Sequence, residues 1–515
     1  MRKPLPTVRR LSRRRLLGHA GLALGGALGL RLSPRVAYGA TPRSGEIVAA
    51  VSERMLVLDP ADHYSISTTS VLRHVFDPLI DVTNDHKFIP ALAESWEAID
   101  NTTWHFTLRK GVSFHDGSPF NADSVLYTLR RVRDNAKLIK AFVYQDLDAV
   151  EKDGPYGVRV TTKRPFGSLP SHLTMLGMLP QNASWREARF FEKPAGTGPF
   201  RFVGWTRGEV VNLAANPQYW KSGTPRVERV SFRFIPELST RAAGLRSGEF
   251  HVIDRVPPDM AQTLKASPGV KVRSVGGLEV QQWLFQMAKS PDDNPQLRKA
   301  ISLAIDRSAI IKELLLSTAR PAVCPIPPGL IGHVNLGVKP YDPERARALL
   351  RDAGYQGQPL EFVLMKDLYP KQLEIAQAVE YMLRDVGVKI EIRNLEIATA
   401  RQLRSAGKYD LFYSGWAHLP HDPDWYFGQW FTKAGAAGLS RYSNPKVEQL
   451  IAEARLPDSK VRAQRYEELQ RILWNDEEPT IWPYYSQAIY GIRDTVQNYE
   501  ARSDYYVLLN DVAVG

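Results

Sequence analysis

The chain has 515 residues, 24% of them charged and 43% hydrophobic, which is too long for one compact core and has the composition of a soluble globular protein. A formal net charge of +12 invites a nucleic-acid reading, but nine of the Lys and Arg residues and none of the Asp or Glu lie in the first forty positions. The remainder holds 58 basic against 55 acidic side chains, which excludes a broad electrostatic case for a phosphate-binding surface.

Those forty residues have the parts of an export signal. A basic stretch ends in Arg13, Arg14 and Arg15, and LLGHAGLALGGALGL follows, weakly apolar and rich in Gly and Ala. This run is too short and too Gly-rich to anchor in a membrane. SRRRLL, Ser12 to Leu17, resembles the twin-arginine motif, in which paired arginines precede the apolar run and the cargo crosses folded. Cleavage near Gly39 or Ala40 suits the small residues there, and no long apolar span follows, so a soluble mature protein in the periplasm is expected. Cys324 is the single cysteine, which excludes an internal disulfide and a cysteine-based metal cluster and leaves it as an apolar filler.

In chain order, Gly45 to Leu58 predicts a strand ended by Asp59-Pro60. Thr103 to Gly117 alternates through Trp104, Phe106 and Leu108 and resumes at Val112 and Phe114 after Lys110-Gly111, which predicts a hairpin. Asn121 is the expected N-cap of a helix over Ala122 to Arg133, where Val125, Leu129 and Val132 recur at helical spacing. FRFVGW and VERVSFRFI read as strands, and LRKAISLAIDRSAIIKELLL from Leu297 as helix, with Arg298 and Lys299 on its exposed side. DPERARALLRDAGY has Pro343 at its first turn and Gly354 as its stop. Leu360 to Lys366, the helix QLEIAQAVEYMLRDV and the strand VKIEIRNL form a strand-helix-strand unit, the mark of α/β layers. Tyr409 to Gly415 is a further strand, and helices are expected over Pro445 to Ala454 and Arg462 to Trp474.

Several stretches resemble the family 5 extracellular solute-binding proteins of ABC importers, in their expected order. These are PALAESWEAIDNTTWHFTLRKGVSFHDGSPFNADSV (Pro90 to Val125), GTGPFRFVGW, NPQYW at Asn216 to Trp220, LRKAISLAIDRSAII and YDPERARALLRDAGY. The resemblance implies an α/β fold of mixed sheets covered by helices, with two lobes closing on a ligand and an extra domain packed on one of them. On this map 41–73, 196–272 and 482–515 form lobe I, 74–195 the extra domain and 273–481 lobe II, after a leader over 1–40. Gly196, Gly198 and Pro199 then mark a crossing between domains.

The stretch YDLFYSGWAHLPHDPDWYF, Tyr409 to Phe427, carries the site candidates. It leaves a sheet strand at its carboxyl end, where open α/β sheets place ligands. In peptide-binding members of the family an aspartate three residues after the tryptophan pairs with the ligand's α-amino group; the matching position here is Leu419, which can neither carry charge nor accept a hydrogen bond. That departure argues for a solute without a free α-amine, such as a modified amino acid, a blocked peptide or a carbohydrate, over an ordinary peptide with another amino-group anchor. Trp416 is the expected aromatic platform. Asp422 before Pro423 reads first as a helix cap and second as a ligand contact. His418 and His421 are read as donors to an organic ligand or as structural groups, and no third ligand joins them in a metal site. Trp283 of VQQWLFQM is a cleft residue or a core residue according to which face of its strand it takes. A hydrolase using His418, His421 and Asp422 lacks a nucleophile-base arrangement, and an exported chaperone or adhesion module is a third class. The expectation is a monomeric receptor without cofactor, chemistry or nucleic-acid partner, which hands a small solute to membrane permease subunits and is exported by the twin-arginine machinery.

Overall fold

The computed structural model describes residues 45–185 and 187–515, and the export leader expected over 1–40 lies outside the described residues. Apolar runs buried on successive residues build the middle of one mixed sheet of twelve strands. Along its main path the order is Ile390–Leu395, Leu360–Met365, Leu411–Ala417, Val270–Phe285, Tyr484–Arg493, Val252–Ile253, Glu46–Val51, Arg229–Phe234, Val210–Ala215 and Phe200–Thr206. The strand-helix-strand unit is parallel, with Leu360 opposite Ile390 and the helix Gln372–Asp385 between them in sequence. Glu46–Val51 likewise runs parallel to Arg229–Phe234.

One strand belongs to both halves of this sheet. Val270–Phe285 is 16 residues long, and its first part, Val270 to Gly276, pairs with Tyr484–Arg493. Its last part, Glu279 to Phe285, pairs with Leu411–Ala417. The ladder slips between Gly276 and Val280, a break of the kind that bends a strand. Gly277 is required there because a Cβ would run into the Tyr505 hydroxyl and the Ser486 carbonyl. Separate buried groups line the two halves. Residues such as Ile47, Phe232 and Tyr490 pack on one, while Trp283, Phe362 and Tyr413, and on the other face Phe412, Tyr426 and Trp474, pack on the other.

A third group belongs to a four-stranded antiparallel sheet, in the order Ala93–Ala98, Thr103–Leu108, Gly157–Thr162, Leu147–Lys152. The helix Ala122–Asp134 covers it. Asn121 caps that helix by accepting from the Asp123 amide at 2.9 Å, and Val125, Leu129 and Val132 are fully buried against Phe106, Val158 and Val160. The expected hairpin within Thr103 to Gly117 does not form. Thr103–Leu108 pairs with Ala93–Ala98 and Gly157–Thr162 instead, and Val112 and Phe114 enter the core from a tight turn closed by the Phe114 amide on Ser118 O at 2.8 Å.

Two more expectations are corrected. The helix from Leu297 stops at Leu303 and restarts at Asp306, whose carboxylate accepts from the Ala309 amide. Arg298 is 2% exposed, not a surface charge, because its guanidinium donates to the Glu477, Glu478 and Asp292 carbonyls at 2.7–3.2 Å. Gly196 and Gly198 lie so close to the His74–Val75 backbone that a Cβ would collide with its carbonyls. Asp77 secures the same crossing by accepting from Thr197, Tyr219 and Trp220 at 2.9–3.0 Å. Among the described residues no helix is long and apolar enough to cross a membrane.

Candidate functional site

The strand Leu411–Ala417 ends in a tight loop that returns into the short helix Asp424–Trp430. The loop closes on itself through the His421 amide donating to His418 O at 2.8 Å, with His421 in the left-handed region at φ 58°. This turn sends consecutive side chains to different surroundings.

Trp416 stays half-buried and meets Trp425 and Trp430 edge-on, with centroids 5.1 and 5.9 Å away. Trp425 continues the line to Tyr64 at 5.2 Å and to Phe142 at 5.4 Å, and those two rings lie 5.7 Å apart. Residues far apart in the chain thus converge on one aromatic wall. Leu419 is half-buried and packs against the apolar group of the opposite half of the sheet, the one that contains Ile47 and Phe232.

The other candidates turn inward. His418 is fully buried, edge-on to Tyr426 at 4.9 Å, and burial pushes its imidazole down to about 3, so it stays neutral. His421 has its Nδ1 3.0 Å from His86 Nδ1, one donating to the other, and its Nε2 3.5 Å from Asp504. Burial would raise the Asp504 carboxyl, but Arg502 and His421 outweigh it and hold it below the usual range. Burial and the neighbouring His421 push His86 down to about 4.

Asp422 accepts both from the Asp424 amide at 2.9 Å and, through both oxygens, from Arg462 Nη2 at 2.8 Å. The turn-capping role is therefore joined by an ion pair forty residues away in sequence, and the carboxylate is engaged at both oxygens and 2% exposed. Trp283 has no exposed surface; it stands in the core between Phe362 and Tyr413, 5.9 and 5.6 Å away, so its expected cleft position is replaced by a packing one. The reason is the sheet, which is covered on both faces at this point, so that Trp283 and Leu284 are buried in opposite directions.

Sequence reasoning missed the partners from elsewhere in the chain. Tyr64 and Phe142 belong to the aromatic wall. Where the long strand changes partners, Glu279 accepts from Gln281 and Ser486, and Arg255 stands over the Tyr505 ring at 5.5 Å and 3.4 Å from Glu53. Burial raises the Glu279 carboxyl, and Arg255 opposes that rise. Gln281 falls within VQQWLFQM and Glu279 immediately precedes it, so the signal lay on letters next to Trp283.

Beside the aromatic wall is a cavity of about 780 Å³. Phe142, Pro165 and Phe166 line one side and Trp425, Gly428 and Ile451 the other. Its volume is in the range of small-molecule sites. None of Trp416, His418, Leu419, His421, Asp422 or Trp283 lines it, whereas Asp424 and Trp425, the next residues of the same stretch, do. Among the described residues no group of three His, Cys, Asp or Glu side chains is placed to hold a metal ion. His421 and Asp422 are taken up by Asp504 and Arg462.

The profile of the bacterial extracellular solute-binding proteins, family 5, matches residues 87–438. The glutathione-binding protein GsiB of Pectobacterium atrosepticum is 28% identical over 448 residues, covering 84% of this chain and 87% of that protein. Two solved structures superpose over nearly the whole chain. DppA from Helicobacter pylori, in complex with the peptide STSA, has a TM-score of 0.79 and 25% identity over 92% of this chain and 98% of its own. CtaP from Listeria monocytogenes has a TM-score of 0.84 at 20% identity, over 92% of this chain and 99% of its own. The fold is thus the two-lobed α/β fold of the periplasmic binding proteins, and proteins of this kind bind without chemistry. The chain belongs to the family 5 extracellular solute-binding proteins and is the periplasmic receptor of an ABC importer, binding a small polar organic solute between its lobes.

Proposed function

We propose that this receptor takes a solute without a free α-ammonium group, a blocked or modified amino acid or short peptide, and passes it to permease subunits from the closed state. The observation that carries this reading is Leu419. It meets the apolar side chains of the opposite lobe, so an ammonium placed there would be stripped of water with no anion to receive it. The nearest loop carboxylate, Asp422, is already held by Arg462. Trp416 and Tyr64 supply the aromatic surface, and solute contacts made only when both walls are present shift the population to the closed form. The lobes are drawn as 41–73, 196–272 and 482–515 against 273–481, with 74–195 as the extra domain and the receptor a monomer.

A second reading is favoured by the name of the Pectobacterium relative, a glutathione-binding protein. In it the solute is an ordinary peptide with its amino group on Glu279 or Glu53, the carboxylates at the polar junction beside Arg255.

Isothermal titration of the mature chain decides between them. N-acetylated and cyclic dipeptides are expected to bind at least about tenfold tighter than the parent dipeptides and glutathione, a difference of about 1.4 kcal/mol. Leu419→Asp is expected to reverse the order. Tighter binding of free glutathione by the unaltered chain would discard the first reading in favour of the second.

Export by the twin-arginine route is part of this proposal and rests on SRRRLL at Ser12 to Leu17. Replacing Arg13 and Arg14 together by lysine is expected to leave full-length precursor in the cytoplasmic fraction, while processed protein continuing to reach the periplasm would rule the route out.

A further inference from the structure

The cavity beside Trp425 has no role in the reading so far, and its walls come from two bodies. Phe142 to His172 accompany the four-stranded sheet, while Asp424 to Arg455 belong to helices packed on the lobe II end of the large sheet. It opens to solvent past Ala434 and Ala452, both exposed. Most of its surface is apolar, from Phe142, Pro165, Phe166, Trp425 and Ile451.

Four of its five charged groups are matched, and the fifth, the half-buried Glu448, accepts from the Ser443 hydroxyl at 3.3 Å. Asp146 accepts from Arg455 at 2.7 Å and from Arg164 at 2.9 Å, and Arg455 also stands 3.8 Å from Asp424. The Arg455 guanidinium lies over the Phe166 ring at 5.0 Å, and its backbone carbonyl accepts from the Gly167 amide at 2.6 Å, which ties the two walls together.

Several hydrogen-bonding valences are left open. Both ring nitrogens of His172, Oδ1 of Asp424, Nε1 of Trp425 and Oε1 of Gln429 are buried with no hydrogen-bond partner in the protein. All four residues line the cavity. His172 is 2% exposed and Asp424 4%. The nearest contact between them is 3.8 Å, from His172 Nε2 to the Asp424 oxygen that already accepts from Ser168 at 2.8 Å. The indole nitrogen can only donate, and the Gln429 and Asp424 oxygens accept, so the open valences have mixed sign.

A buried donor and buried acceptors on the walls of one largely apolar space match a group with the same pair reversed. We propose that the cavity is a second compartment of the solute site and holds a flat, uncharged, amide-bearing group: a carboxamide or lactam on an aromatic or aliphatic ring. The amide N–H donates to Asp424 Oδ1 or Gln429 Oε1, its carbonyl accepts from Trp425 Nε1, and the ring lies between Phe166 and Ile451. This rests on the reading that the solute lies against Trp416 and Tyr64, since Trp425 touches both of those rings and also lines the cavity. A group seated there bridges the two walls, so its binding favours the arrangement in which they stand together.

Gly428 supplies a direct test. It lines the cavity from within the helix Asp424–Trp430, and a Cβ on it would meet nothing within 4 Å. Gly428→Leu therefore fills the compartment without a clash at its root, and Gly428→Ala leaves most of it open. Crystals of the mature protein soaked with para-bromobenzamide, para-bromobenzoate or para-bromobenzylamine locate each probe by anomalous scattering from bromine. Titration with benzamide reads affinity in solution.

The expected result is a bromine peak in the cavity for the amide alone, with benzamide binding weakened at least tenfold by Gly428→Leu and within twofold of wild type in Gly428→Ala. Unchanged thermal melting of Gly428→Leu confirms that the loss is local. Bromine outside the cavity, equal occupancy by the anion or the cation, or full benzamide affinity in Gly428→Leu overturns the proposal. These readouts do not involve Leu419, so the compartment stands or falls separately from the choice between blocked and free peptides.

Discussion

Arg462→Ala is expected to cost about 3–5 kcal/mol of folding free energy, because it leaves the Asp422 carboxylate buried without a counter-charge. Both side chains are almost wholly enclosed, at 6% and 2% exposure, and the guanidinium reaches both carboxylate oxygens at 2.8 Å. Burial by itself would lower the Arg462 pKa, but Asp422 outweighs it and keeps the group charged. Asp422→Ala is expected to cost as much for the converse reason. The double replacement, Asp422→Leu with Arg462→Met, should recover most of the loss, since two apolar side chains of similar bulk leave no orphaned charge. Urea midpoints of the unaltered chain and the three variants measure this coupling. If Asp422→Ala left the midpoint unchanged and removed solute binding instead, the aspartate would be a ligand contact and the pair incidental.

The second large effect separates two tryptophans that sequence treats alike. Trp283→Ala is expected to lose about 3–5 kcal/mol through the cavity it leaves between Phe362 and Tyr413. Its effect on solute affinity, measured on the fraction that folds, should be small. Trp416 is half-buried at the aromatic wall, and Trp416→Ala should show the reverse, a modest change in denaturation midpoint and a solute affinity reduced at least tenfold. Equal destabilisation by both substitutions would mean that Trp416 is a core residue too.

What the sequence made legible divides along the range of the interaction. The strand-helix-strand unit over Leu360–Leu395 and the Asn121 cap were readable because each is settled by residues within a few turns of one another. The Thr103–Gly117 hairpin was misread because alternation marks a strand without naming its partner, and the preceding segment Ala93–Ala98 competed for the same edge. Arg298 was misread because a buried arginine needs acceptors, and these come from the distant Glu477 and Glu478 carbonyls. At the site, Trp416 stands half-buried against Trp425 and Trp430 and Leu419 packs on the group that contains Ile47 and Phe232, while His421 and Asp422 were claimed by Asp504 and Arg462. Nothing local in HLPHD distinguishes a histidine facing a solute from one facing His86, which is 335 positions away. The absent aspartate at Leu419 was the more telling letter, since a missing charge needs no partner to be recognised.

The strand shared by both halves of the large sheet also governs when the protein is finished. Val270–Phe285 lacks one of its two long neighbours until Tyr484–Arg493 has been made, and Val252–Ile253 waits for the same segment. During synthesis the middle of the sheet is therefore an open edge for roughly two hundred residues' worth of translation, a period in which unpaired strands invite aggregation. A ribosome that stops before Tyr484 therefore leaves a chain that is nearly full length and still has one edge each of Val270–Phe285 and Val252–Ile253 unpaired.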